Sequence, residues 1–163
     1  MKDRLGVLSA SVEAIKKDSD ANEQYSRRYC LRINGIEKDH DESGKDCINK
    51  VLKVCEKFNV SVKENDIDRA HRVGREKKTM IVKFYSFEKR TSLYKARKQE
   101  KDIKIHLDIT RKRLSLLDAA KKLLSDNCGI DFVFADINCN TVAKMTNGNY
   151  KFFDNLEKLK SFL

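Results

Sequence analysis

The chain has 163 residues, of which 40% are hydrophobic and 37% charged, and its formal net charge is +10. That length allows one domain or two small ones, and the hydrophobic share supports a packed core of modest size. No apolar run approaches the roughly 18 residues of a membrane span, the start Met1-Lys2-Asp3-Arg4 leads into no apolar stretch of signal-peptide type, and so basic a balance predicts an acidic partner, nucleic acid first.

Residues 1–28 read as a helix. Leu5, Leu8, Val12 and Ile15 fall at the 3-4-3 spacing of a coiled-coil seam, and the pattern stops where Ser19 and Asn22 take the next two seam places. The expected element is a coiled-coil stub, with a helix leaning on the domain as the alternative. In Tyr29-Cys30-Leu31-Arg32-Ile33-Asn34-Gly35-Ile36, apolar Leu31 and Ile33 alternate with Arg32 and Asn34, which predicts a half-buried strand ended by a glycine. An acidic loop, Glu37 to Glu42, follows. Ser43 can cap the next helix, with Asp46 three residues on, and Ile48, Val51, Leu52, Cys55 and Phe58 recur at helical spacing over about 44–58.

Residues 66–73 alternate again, with Ile67, Arg69, His71 and Val73 expected on one face and Asp68, Ala70 and Arg72 on the other. After a basic loop, Gly74 to Lys78, the run Thr79 to Tyr85 is the strongest strand signal in the chain. Residues 87–101 read as a helix with Phe87, Leu93, Tyr94 and Ala96 apolar. Ile103, Ile105 and Leu107 then alternate with Lys104 and His106 in a fourth strand. The order strand, helix, strand, strand, helix, strand predicts a split βαβ domain over 29–108. Such a frame hosts many functions.

The remainder, 109–163, reads as a small α+β domain. Thr110 caps a helix from 111 to about 126 with Leu114, Leu117, Leu123 and Leu124 apolar, and Ile130 to Ile137 is a strand. Thr141 to Met145 and Tyr150 to Phe153 flank Asn147-Gly148, a hairpin signal, and 155–163 form a closing helix with Leu156, Leu159, Phe162 and Leu163 apolar. The expected class is therefore α+β throughout. Prolines are absent and glycines number six, so no linker is visible and the domains are expected to abut closely.

The five cysteines, Cys30, Cys47, Cys55, Cys128 and Cys139, form no CxxC pair, and His40, His71 and His106 do not complete a metal spacing. They are expected to be reduced, mostly buried thiols of an intracellular protein, Cys128 and Cys139 included. Neither a metal nor another cofactor is expected. With no Gly-rich phosphate loop, GxSxG or HExxH motif, neither an enzyme nor a small-molecule substrate is expected. Asp66 and Asp68 are read as solvated charges or partners of nearby arginines. His71 has no nucleophile signature beside it and is read as a strand-edge contact to nucleic acid, packing being the alternative. Tyr85, Phe87 and Tyr94 are expected to pack in the core under the 87–101 helix rather than to stack on bases.

Charge is concentrated. Arg69 to Lys104 holds 13 Lys and Arg against 4 Asp and Glu, whereas residues 37–68 hold 6 against 9. The candidate contacts in this run are Arg69, His71 and Arg72 on the second strand; Arg75 in the basic loop; Lys83 on the third strand; and Lys89, Arg90, Arg97 and Lys98 on the following helix. Arg111 and Arg113 join them in the first turn of the next helix, where free backbone N–H groups suit phosphate. Each neutralised phosphate releases counterions, so affinity should fall steeply with salt.

Arg28-Tyr29-Cys30-Leu31-Arg32-Ile33-Asn34-Gly35-Ile36, then Ile67-Asp68-Arg69-Ala70-His71-Arg72-Val73-Gly74, then Ile81-Val82-Lys83-Phe84 and Lys95-Ala96-Arg97-Lys98 occur in one order. In that order the chain resembles the first open-reading-frame protein of LINE-type non-LTR retrotransposons, and it is similar to the related few-polyhedra protein of baculoviruses. The resemblance covers about residues 1–163, and its most specific part is Arg69-Ala70-His71-Arg72. It implies a coiled coil, an RNA-recognition-motif-like domain and a small C-terminal domain. It further implies a homo-oligomer joined through the coiled coil. Such a protein coats single-stranded RNA, with single-stranded DNA the alternative, and acts as a nucleic-acid chaperone in the cytoplasm or also the nucleus. By matching position it implies Arg28, Arg32, Arg69, Arg72, Lys83, Arg97 and Lys98 as backbone contacts.

The chain departs from the family in three places. Only two heptads of coiled coil are visible; Leu117 and Asp118 stand where the family has arginines; and the base-stacking positions hold Thr79, Ile81 and Arg32 instead of aromatics, with Val82 and Phe84 expected in the core. Without a stacking platform, worth ~1–3 kcal/mol per base elsewhere, binding is expected to run through phosphates with weak sequence preference. The alternative is a structural or assembly protein acting through protein contacts. A duplex-DNA reader lacks its helix-turn-helix or zinc finger, and the apolar residues of the Lys-rich helices are committed to the core rather than to a membrane surface.

Overall fold

Local patterning builds five helices and seven strands in a computed structural model, which describes residues 2–124 and 129–163. In chain order they are α1 (Lys2–Ser26), β1 (Cys30–Asn34), α2 (Gly44–Lys57), β2 (Ile67–Val73), β3 (Thr79–Phe84), α3 (Phe87–Lys95) and β4 (Lys104–Leu107), followed by α4 (Arg111–Leu123), β5 (Ile130–Ala135), β6 (Thr141–Met145), β7 (Tyr150–Phe152) and α5 (Leu156–Ser161). The protein is α+β, as its sequence predicts, and divides into two units: Arg27–Asp108, and Met1–Ser26 together with Ile109–Leu163. The N-terminal helix thus groups with the C-terminal residues. The final residues of the expected 111–126 helix, 125 and 126, and Cys128 lie outside the described residues.

In the Arg27–Asp108 unit the four strands pair antiparallel in the order β2-β3-β1-β4, the split βαβ arrangement. Strand alternation sends Leu31, Ile33, Met80, Val82, Phe84, Ile105 and Leu107 to one face, all buried. That face is closed by Cys47, Val51, Val54, Cys55 and Phe58 of α2 and its C-cap and by Leu93 of α3. The start of α2 is fixed by a capping box: Ser43 Oγ accepts from Asp46 N–H, and Asp46 accepts from Ser43 N–H at 2.9 Å. β1 ends at Gly35, whose φ of +98° favours glycine, and where a Cβ would overlap the carbonyl oxygen of Asp102.

Two expectations are corrected here. The alternation over 66–73 places Ile67 with Arg69 and His71, but the β2–β3 register shifts between Ile67 and Arg69. This bulge returns Ile67 to the core face with Ala70, at 4% and 3% exposure, while Arg69 and His71 face outward. The 87–101 helix ends at Lys95, where the chain turns toward β4: Ala96 N–H bonds to Ser92 O and Arg97 N–H to Tyr94 O.

In the other unit, Leu117 and Ala120 of α4 meet Ile130, Val133, Ala143 and Met145 of a three-stranded antiparallel sheet, β5-β6-β7, with Phe153 and Leu159 completing the core. Leu116 packs against this core, whereas Leu114 is largely exposed, one helical position off the expected stripe. β5 stops at Ala135, short of Ile137, because Asp136 Oδ1 accepts from the N–H groups of Asn138 and Asn140 and turns the chain. The hairpin forms at Asn147-Gly148 with φ +87° at Gly148, and Met145 N–H bonds across to Asn149 O. The foot of α1 is fastened to the start of α4. Thr110 N–H donates to Gln24 Oε1 at 2.8 Å, Thr110 Oγ1 to Asp20 at 2.6 Å, and Arg113 Nε to Asp20 at 2.9 Å. Although burial works the other way, these hydrogen bonds from Thr110 and Arg113 hold the Asp20 carboxyl below its usual range.

Candidate nucleic-acid interface

Strand register decides which cations meet. On the face of the β2-β3-β1-β4 sheet away from α2 and α3, one row across the strands reads His71, Ile81, Arg32, His106. The row on one side reads Arg69, Lys83, Cys30, and the row on the other reads Val73, Thr79, Asn34, Lys104. Four permanent cations and two histidines therefore share one face, and these three rows hold no aromatic ring. Thr79 and Ile81 occupy the third-strand positions expected from the sequence, and Val82 and Phe84 are in the core.

Each of these side chains has a definite setting. Arg69, His71, Lys104 and His106 are exposed. Arg32 is half-exposed and aimed by buried Asp108, which accepts from Arg32 Nε at 2.9 Å and from Arg27 Nη1 at 3.2 Å. Lys83 lies 3.8 Å from Asp68, both about one-third exposed. Partial desolvation, then Lys104 and Arg97, lowers the His106 pKa from its ordinary value. Lys104 and His106 are the residues that sequence reasoning missed. Their alternation was legible, but their place on this face depends on β4 pairing with β1.

The remaining candidates separate into surface and framework. Arg75, Lys98 and Arg111 are exposed. Arg28 stacks on the Tyr29 ring at 4.4 Å and Arg97 on the Tyr94 ring at 4.0 Å, both half-buried. Lys89 is engaged by the Ser61 carbonyl at 2.7 Å.

Arg72, Arg90 and Arg113 are not surface cations. The Arg72 side chain is 5% exposed and forms a two-pronged pair with Glu42, Nε to Oε2 at 2.8 Å and Nη2 to Oε1 at 3.0 Å, while also donating to the carbonyls of Ile36, Glu37 and Lys78. Arg90 is 1% exposed and lies 5.0 Å from the Phe87 ring centroid. Arg113 donates to Asp20 and to the Cys139 carbonyl. Each is turned inward by the periodicity of its strand or helix: Arg72 then anchors the loop from Ile36 to Glu42, and Arg113 ties α4 to Asp20 of α1.

The other chemistry-bearing residues have structural settings. Asp66 caps a 3-10 turn by accepting from Lys63 N–H at 2.8 Å, and Asp68 faces Lys83. Tyr85 is 65% exposed and Phe87 36% exposed, against the expectation of core packing, because both sit at the rim where α3 begins. Cys30, Cys47 and Cys55 are free thiols, and they and Cys139 are buried. Burial pushes the Cys55 thiol up to about 12 and raises Cys30 and Cys47 as well. Among the described residues no three His, Cys, Asp or Glu side chains converge as a metal site, and no helix is long and apolar enough to cross a membrane. Neither a family model nor any curated protein matches the chain.

Proposed function

We propose that the protein binds single-stranded nucleic acid, RNA foremost, without catalysis, by laying the sugar–phosphate backbone across the open face of the β2-β3-β1-β4 sheet. The observation that carries this reading is the register, which gathers Arg69, Lys83, Arg32, Lys104, His71 and His106 on one face. Phosphate contacts position a strand without reading its sequence, so low specificity follows from a face of cations without stacking rings. The resemblance to LINE-type first open-reading-frame proteins supports the same reading.

The test is binding of a fluorescent single-stranded RNA of about 30 nucleotides, against matched duplex DNA, across a salt series. We expect preference for the single strand and a steep negative log–log salt slope. Replacing Arg69 and Lys104 with alanine should weaken binding and reduce that slope by roughly one per lost phosphate contact. An unchanged affinity and slope would refute the surface. Arg72→Ala is not a test of binding, because that side chain holds a loop.

A second reading, an assembly protein acting through protein contacts, is favoured by one observation. Leu5, Leu8, Val12 and Ile15 on α1 are 70%, 62%, 46% and 67% exposed, an apolar seam without a cover. It predicts self-association without RNA and weak, salt-insensitive RNA binding.

A further inference from the structure

We infer that the β5-β6-β7 sheet is a base-stacking platform for the same single-stranded nucleic acid, an inference that rests on the function proposed above. The Arg27–Asp108 sheet offers cations without rings; this second sheet offers rings around a cation. Its register places Phe132, Lys144 and Tyr150 in one row and Phe134, Val142 and Phe152 in the next, all on the face away from the core residues Val133, Ala143 and Phe153. Phe132, Tyr150 and Phe152 are 44%, 56% and 58% exposed. The rings form a continuous set: Phe132 to Phe134 at 5.6 Å, Phe134 to Tyr150 at 6.3 Å edge to face, and Lys144 Nζ 5.4 Å from the Phe132 centroid.

The chemistry of this face selects its occupant. Exposed rings on neighbouring strands present flat π surfaces, which any base can cover regardless of sequence. Lys144 stands among them with no acidic residue in either row. A second copy of the chain docking here would bury that ammonium in an apolar seam without a counter-charge, a costly arrangement. A nucleic-acid strand brings bases for the rings and a phosphate for the lysine. Phe152 also borders a groove lined by Lys112 and Lys158; of its three acids, Asp20 is paired with Arg113, Asp154 with Lys17, and Glu13 lies 3.9 Å from Lys16.

The test uses the full chain and a single-stranded RNA of about 30 nucleotides carrying a fluorescent adenine analogue whose emission changes on stacking. The triple variant Phe132→Leu, Tyr150→Leu, Phe152→Leu keeps the apolar area and removes the π faces, and unchanged circular dichroism certifies its fold. We expect it to lose about tenfold in affinity, to blunt the emission change, and to leave the salt slope intact. Lys144→Gln should instead lower the slope by about one. If wild type binds with a steep salt slope and the triple variant binds as wild type does, the platform is refuted and the cationic sheet stands. If the variant alters sedimentation of the free protein while RNA binding is unchanged, the face seats a protein and the platform is likewise refuted. If wild type does not bind single strands, both readings fall together.

Discussion

Residue roles turn on whether a charge has a partner before any ligand arrives. Arg72 and Glu42 illustrate this, each side chain only 5% exposed and each completing the other. Hydrogen bonds from Arg72 and Lys50 hold the Glu42 carboxyl far below its usual range, against burial, which raises it. A carboxylate whose folded value lies below the unfolded one adds stability that is complete above the ordinary value near 4.5 and is lost as pH falls through the folded value. Glu42→Gln should therefore cost about 3 kcal/mol at neutral pH by leaving Arg72 buried without its counter-charge. The gap to wild type should narrow below pH 4.5, where wild type itself begins to lose this contribution. Denaturant unfolding at pH 7 and near pH 3 checks both, and an equal gap at the two values would remove the pair as the cause.

At the scale of elements, two glycines at positive φ separate conformational cost from collision. Gly148 sits at +87° with open space around it, whereas Gly35 at +98° would drive a Cβ into the Asp102 backbone. Alanine at 148 should cost about 1 kcal/mol and alanine at 35 clearly more, about 2 kcal/mol or above, since the strand end must also shift; thermal unfolding of the two variants ranks them, and equal losses would argue against the collision. Strand and helix positions were legible because alternation and helical spacing are local properties of the chain. The bulge at Ile67 and Arg69 was not, since an extra residue in one strand is defined only by its partner. Arg69 and Lys83 could be named from clustering and Arg32 from the family resemblance, but Lys104 and His106 joined them on one face only through strand order. The same limit hid the rings of β5 and β7: Phe132-Val133-Phe134 is apolar on both faces, a pattern that reads as a fully buried strand, and Tyr150 and Phe152 join those rings only through strand pairing.

At the scale of the whole molecule, the net charge of +10 opposes association of free chains, whereas on the assembly reading the exposed seam on α1 would draw copies together. If nucleic acid binds as proposed, it would neutralise the first effect and leave the second, so self-association and strand binding should reinforce each other. Two heptads form a weak seam by themselves, and joining several cationic faces on one strand raises avidity without any new contact. Leu8→Asp with Val12→Asp should leave the fold intact, because both side chains already face solvent at 62% and 46% exposure. In sedimentation velocity the wild type should show association that grows with concentration and with added RNA, and the variant should remain a monomer. On an RNA short enough for one copy the two should bind alike; on a long RNA the variant should fall behind. Equal sedimentation and equal binding on both lengths would show that the seam serves some purpose other than joining copies, and the assembly reading would lose the observation on which it stands.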